Sequence, residues 1–166
     1  MGRKRITVSF EKLDVELNII AIKISSVPKK ASKQINTLLR NSGNEIKNRI
    51  IRRMTSSPPD PSRRYLRGRN KRGRKFHFAS FPGFAPRRDF GNLIASIAAV
   101  KNGPNEIEVG ALSTSPKGKP ITYAKFLEEG TKRMAARPWL MPAVEDEIVS
   151  IEFDANEIMD KILRDL

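Results

Sequence analysis

The chain reads as an α+β protein: two N-terminal helices, a small antiparallel β-sheet with a long basic loop insertion, and a C-terminal helix. Three observations carry that reading. Apolar residues recur at three- and four-residue spacing near both ends, period-two alternation occupies the middle, and a cationic block separates the first helical stretch from the strands. The 166 residues suit a single domain, 1–166, and 39% apolar content is enough to bury a core.

After an extended start at Ile6 and Val8, the spacing of Phe10, Leu13, Leu17, Ile20, Ala21 and Ile24 predicts a first helix. Ser9 offers a cap, and Pro28 stops the helix. Ile35, Leu38, Leu39, Ser42, Ile46, Ile50 and Met54 predict a second helix over 29–54, with Gly43 as a point of weakness. The prolines of TSSPPDP end it.

Residues 55–90 then read as a long loop, with an extended basic stretch over 58–78. Proline and glycine recur in it, and its charge leaves little to bury, so it is expected to order only against a partner. A strand over 93–101, an Asn-Gly-Pro-Asn turn and an alternating strand over 105–112 form a β-hairpin. A second loop, STSPKGKP, leads to a short helical segment carrying Tyr123, Phe126 and Leu127 on one face, with Gly130 at its C-terminal cap. The closing helix is expected over 143–166 through Ile148, Ile151, Ala155, Ile158, Met159 and Ile162, with Pro142 in its first turn.

Composition narrows the chemistry. No cysteine means no disulfide framework, no thiolate metal site and no thiol nucleophile, and no apolar run is long enough to span a membrane. The start has no stretch resembling a secretory signal, so synthesis in the cytoplasm is expected. The one histidine, His77, lies among phenylalanines without partners at catalytic or ligand spacing. Glu128 and Glu129 stand without a third ligand nearby and read as helix-end charges. GRNKRGRK lacks the strand–loop–helix context of a phosphate-binding loop. No enzyme activity and no cofactor or metal are expected.

Charge supplies the positive signal. The formal net charge is +14, yet residues 49–88 alone hold +12 while residues 89–166 sum to −4. Arg63, Arg64, Arg67, Arg69, Lys71, Arg72, Arg74 and Lys75 crowd into thirteen residues. Such a cluster stays solvated or meets a polyanion, either nucleic acid bound without sequence selection or the acidic surface of a protein. Trp139, between Pro138 and Pro142, is either a core anchor or a subunit contact.

Two blocks, ASFPGFAPRRDFGNLIASI at 79–97 and YAKFLEEGTKRMAARPWLMPA at 123–143, resemble the tail-completion or neck proteins of tailed bacteriophages, also called minor tail proteins. That family reads A-S-x-P-G-x-x-P-x-x-D-T-G-x-L-x-x-S-I, then a strand pair, then Y-A-x-x-x-E-x-G-T followed by R-P-F-L-x-P-A. Ala79, Ser80, Pro82, Gly83, Pro86, Asp89, Gly91, Leu93, Ser96 and Ile97 match the first block. Tyr123, Ala124, Glu128 or Glu129, Gly130, Thr131, Arg137, Pro138, Leu140, Pro142 and Ala143 match the second. Phe90 stands where the family has Thr, Trp139 where it has Phe, and the basic stretch is longer than the family's.

The resemblance implies a non-enzymatic virion protein at the head–tail junction, present in the host cytoplasm during assembly. It implies a closed ring of identical subunits, expected to be a hexamer, around the channel that genomic DNA traverses. Neighbours would be head-closure or adaptor proteins on one side and tail-terminator or tail-tube proteins on the other. Tyr123, Glu129, Arg137 and Trp139 are the candidate subunit contacts, and the basic stretch would face DNA or an acidic neighbouring ring. The alternative is a free accessory protein that binds nucleic acid non-specifically.

Overall fold

The computed structural model describes residues 7–14, 19–70, 73–89, 91–111 and 121–164, with the backbone alone at 7–14, 19, 67–70, 73–75 and 163. Among these the chain is α+β, with four helices and two small antiparallel sheets.

The N-terminus departs from expectation. Instead of a first helix, β1 (Thr7–Asp14) and β2 (Ile19–Ser25) pair antiparallel, from Thr7 opposite Ser25 to Asp14 opposite Ile19. The physical reason lies in IIAIKIS. Ile20, Ile22 and Ile24 alternate, all three are buried, and β-branched side chains pack well on a pleated surface. The three- and four-residue spacing was thus carried by residues of two strands. Leu17 lies outside the described residues.

One helix, not two, therefore precedes the basic stretch. α1 (Ser32–Ser56) starts behind a turn in which the Ala31 amide donates to the Pro28 carbonyl at 2.9 Å. Its buried stripe is Ile35, Leu39, Ser42, Gly43, Ile46, Ile50 and Met54, close to the periodicity the sequence predicts. Gly43 has a packing purpose: a Cβ there would run into Ile107 Cδ1 and stand 3.2 Å from Ala99 Cβ. Its missing side chain lets the helix lie close on the sheet.

The basic stretch is a second correction. It is a two-stranded ribbon, β3 (Pro59–Asn70) paired with β4 (Gly73–Ser80), with Arg64 opposite Phe78, Tyr65 opposite His77 and Leu66 opposite Phe76. Pro59 and Pro61 are tolerated because both strands of a two-stranded ribbon are edges. Register shifts between Pro59 and Arg64, and between Leu66 and Gly68, absorb the irregular residues.

The strand expected over 93–101 is divided. Asn92–Ser96 form a short helix, α2, which the Ser96 hydroxyl closes by donating to the Leu93 carbonyl at 2.7 Å. β5 (Ala98–Gly103) and β6 (Glu106–Gly110) then make the expected hairpin around Pro104 and Asn105, with Asn105 in the left-handed region at φ 57°. β6 also pairs with β2, giving a four-stranded sheet in the order β1-β2-β6-β5. α3 (Ala124–Glu129) and α4 (Met141–Arg164) complete the chain. α1 packs on β5 and β6, and α4 packs along α1. One core joins Ile22, Ile46, Ile107, Val109, Trp139 and Ile151.

Candidate nucleic-acid and subunit interface

The two blocks that carry the family resemblance are bonded to each other. The Gly83 amide donates to the Ala136 carbonyl at 2.9 Å. Arg137 is buried, and its Nε and Nη2 both donate to the Ser80 carbonyl at 3.2 Å. The Arg137 amide donates to the Leu127 carbonyl at 2.7 Å, tying α3 to the same strand of backbone.

Gly130 makes the intervening turn. It caps α3 at φ 79°, donates its amide to the Phe126 carbonyl at 3.0 Å, and leaves no room for a Cβ, which would meet Ala136 N and Met134 O at 2.8 Å. Thr131 and Met134 then close a tight turn through reciprocal backbone bonds of 2.7 and 3.2 Å.

The acid next to that turn has a role the sequence reading did not assign. Glu128 is buried, and its carboxylate accepts the amides of Trp139, Leu140 and Met141 at 2.7, 3.0 and 3.0 Å. Met141 is the first residue of α4 and Trp139 and Leu140 lead into it, so the carboxylate seats the helix entry and also complements the helix dipole. Glu128 is therefore a tertiary cap supplied by α3, and the E-x-G spacing of the motif is what aims it.

Trp139, for which core and subunit contact stood as alternatives, is enclosed at 0% exposure, with Nε1 donating to the Ala124 carbonyl at 3.2 Å. It anchors the core. Arg137 is likewise internal, whereas Tyr123 and Glu129 are exposed. The Tyr123 hydroxyl is pushed above the usual tyrosine range by burial and then by the Asp89 carboxylate, against a bond from the Leu93 backbone.

The base of the ribbon is fastened by a polar cluster. The Tyr65 hydroxyl donates to Asp89 Oδ2 at 3.1 Å, His77 Nδ1 lies 3.5 Å from Asp89 Oδ1, and the Tyr65 and His77 rings stand 5.2 Å apart. His77 thus packs at the foot of the ribbon, setting β4 beside Asp89 of the first motif block. Asp60 is buried nearby and accepts the Ser62 hydroxyl at 2.6 Å and the Ser62 amide at 3.0 Å, with Arg63 Nε at 3.6 Å. The Ser62 hydroxyl bond is the main cause that holds its carboxyl below the usual range, with Arg63 and Arg137 adding to it.

Arg63, Arg64, Arg87 and Arg137 line one cavity of about 340 Å³ at this base. Burial, and then the Arg63 guanidinium, lower the Arg137 pKa from the ordinary arginine value. Further out, Arg69 is paired with Arg74 and Gly68 with Lys75 in the ribbon backbone, and Arg67 lies on β3. The side chains of Arg67, Arg69, Arg74 and Lys75, and all of Lys71 and Arg72, lie outside the described residues.

One face of the ribbon is apolar and open. Leu66, Phe76 and Phe78 are 55%, 43% and 36% exposed, and the Arg64 guanidinium sits 4.9 Å over the Phe76 ring. α4 has a second open apolar pair, Val149 and Phe153, at 71% and 70% exposure. Their signal was present in the sequence as two large apolar residues out of phase with the buried stripe of Ile151, Ala155 and Met159.

Among the described residues no group of three His, Cys, Asp or Glu is placed to hold a metal, and no helix is long and apolar enough to cross a membrane. No protein-family model, curated protein or solved structure matches this chain.

Proposed function

We propose that this chain is a structural, non-enzymatic connector protein of a tailed bacteriophage or prophage particle, a tail-completion or neck protein that forms a closed ring around the DNA channel. The observation that supports it most is the bonding of the two motif blocks through Ser80, Gly83, Ala136 and Arg137. Residues shared with the neck family by sequence thereby act as one unit, which sets the foot of the ribbon against the start of α4.

On this reading the ring is a homo-oligomer, expected to be sixfold, that sits between head-closure or adaptor proteins and tail-terminator or tail-tube proteins. The ribbon, with eight basic residues over 59–80 against the single acid Asp60, faces genomic DNA or an acidic ring surface. A mobile polyanion sliding past needs screening rather than base readout, and an arginine-rich ribbon provides that.

The same charge favours a second reading, a free accessory protein that binds nucleic acid without sequence selection. Negative-stain electron microscopy of the purified full-length chain separates the two. Uniform rings with a central opening support the connector. Scattered monomers that bind duplex DNA support the accessory protein and overturn the connector.

A further inference from the structure

We infer that the apolar face of the β3–β4 ribbon of one copy docks on the exposed Val149–Phe153 stripe of α4 of the next copy, head to tail. The inference rests on the ring reading and names the surfaces that would build it.

Both surfaces are open, and each has what the other lacks. On the ribbon, Leu66, Phe76 and Phe78 share a face with Arg64, amid eight basic residues and one acid over 59–80. On α4, Val149 and Phe153 stand one helical turn apart, in a segment from Pro142 onward with eight acids and two bases. Asp146 and Glu147 are engaged within the chain, bonded to Arg53 at 2.8 Å and Arg49 at 3.1 Å on α1. Glu145, Glu152, Glu157 and Asp160 are exposed and form no ion pair among the described residues. An apolar pair flanked by exposed acids thus matches an apolar cluster set in a stretch of basic sequence.

The spacings agree as well. Residues four apart on a helix are separated by about 6 Å along its axis. Residues two apart on a strand, as Phe76 and Phe78 are, lie about 7 Å apart. Both pairs present a step of nearly the same length, which lets the side chains interdigitate.

Charge also dictates who the partner is among copies of this chain. Two ribbons facing each other would set cation against cation, and two α4 faces would set acid against acid, so contacts between like patches are disfavoured. The remaining arrangement uses different patches on the two subunits. Such a heterologous contact made once per neighbour builds a ring when its rotation closes, as the ring reading requires.

The test is complementation between two variants. Leu66→Ser with Phe76→Ser spoils the ribbon face and keeps α4. Val149→Ser with Phe153→Ser spoils α4 and keeps the ribbon. All four positions are exposed, so both variants keep the wild-type melting curve. Each alone is expected to sediment as a monomer where the wild type forms rings. Mixed and followed by titration calorimetry, they are expected to form a 1:1 complex and no ring, because only one competent contact remains.

Wild-type rings in either variant overturn the docking and leave the ring reading standing, assigning that face to another protein. Two monomeric variants that fail to bind each other also overturn it. A wild-type chain that stays monomeric sinks the ring reading itself, and this contact with it.

Discussion

Glu128 and Trp139, eleven residues apart, are joined by a 2.7 Å hydrogen bond in which the Trp139 amide donates to Glu128 Oε2. Leu140 and Met141 donate to the same carboxylate, so one buried acid on α3 holds the chain where it enters α4. The acidic helix is thereby fixed in direction relative to the motif blocks and the ribbon foot.

Glu128→Ala leaves three amides short of a strong acceptor. Loss of bonds to a charged group and of a helix cap lowers folding stability by about 2–4 kcal/mol. Glu128→Gln keeps an acceptor oxygen and is expected to lose about half as much. Urea denaturation of the two variants checks the order, and equal stability of Glu128→Ala and wild type would dismiss the cap.

Trp139→Ala removes the largest enclosed side chain and the Nε1 bond to Ala124. The expected loss is about 3–5 kcal/mol, felt in the monomer rather than at a subunit contact. A thermal melt of monomeric protein reads it directly. Unchanged melting would contradict the burial of Trp139.

Glu147 gives a pH signature. Burial raises its pKa above the ordinary glutamate value, and the Arg49 guanidinium 3.1 Å away opposes that shift without cancelling it. A carboxyl raised in the folded state favours folding when protonated. Its contribution is complete below the unfolded value of about 4.3 and is lost as pH rises through the folded value. Glu147→Gln lacks that loss, so its stability relative to wild type should climb from about pH 4 upward and then level off. Stability curves measured across that range decide it, and parallel curves for the two proteins would refute the assignment.

Binding of DNA in solution should be indifferent to sequence and steep in salt. A ribbon that neutralises roughly six to eight phosphates loses about a thousandfold or more in affinity between 50 and 200 mM salt. Replacing Arg67, Arg69, Arg72 and Arg74 together by Ser should abolish binding without lowering the melting temperature. Fluorescence anisotropy with unrelated duplexes tests this, and strong preference for one of them would point to a regulator instead.

The elements set by a single strong period were legible in the sequence. α1 and α4 lie within a few residues of their expected limits, because each buries one continuous stripe. The cap at Gly130 and the hairpin turn at Asn105 followed from local backbone chemistry. The N-terminal hairpin was missed because residues from two strands fell by chance at helical spacing. The alternation of Ile20, Ile22 and Ile24 was the better signal. The ribbon was hidden by its prolines, glycines and charge, which argue against a central strand but not against an isolated pair of edges. In the candidate site the cationic cluster could be read directly. The capping role of Glu128 could not, since it depends on a contact across eleven residues that only the fold creates.

On the proposed reading this chain closes on itself through unlike surfaces. Native mass spectrometry of the purified protein over a wide concentration range reads that closure. One dominant assembly is expected at six times the 18.7 kDa chain mass, in equilibrium with monomer and with no larger series. A monomer at every concentration, or an open ladder of ever larger species, would contradict it.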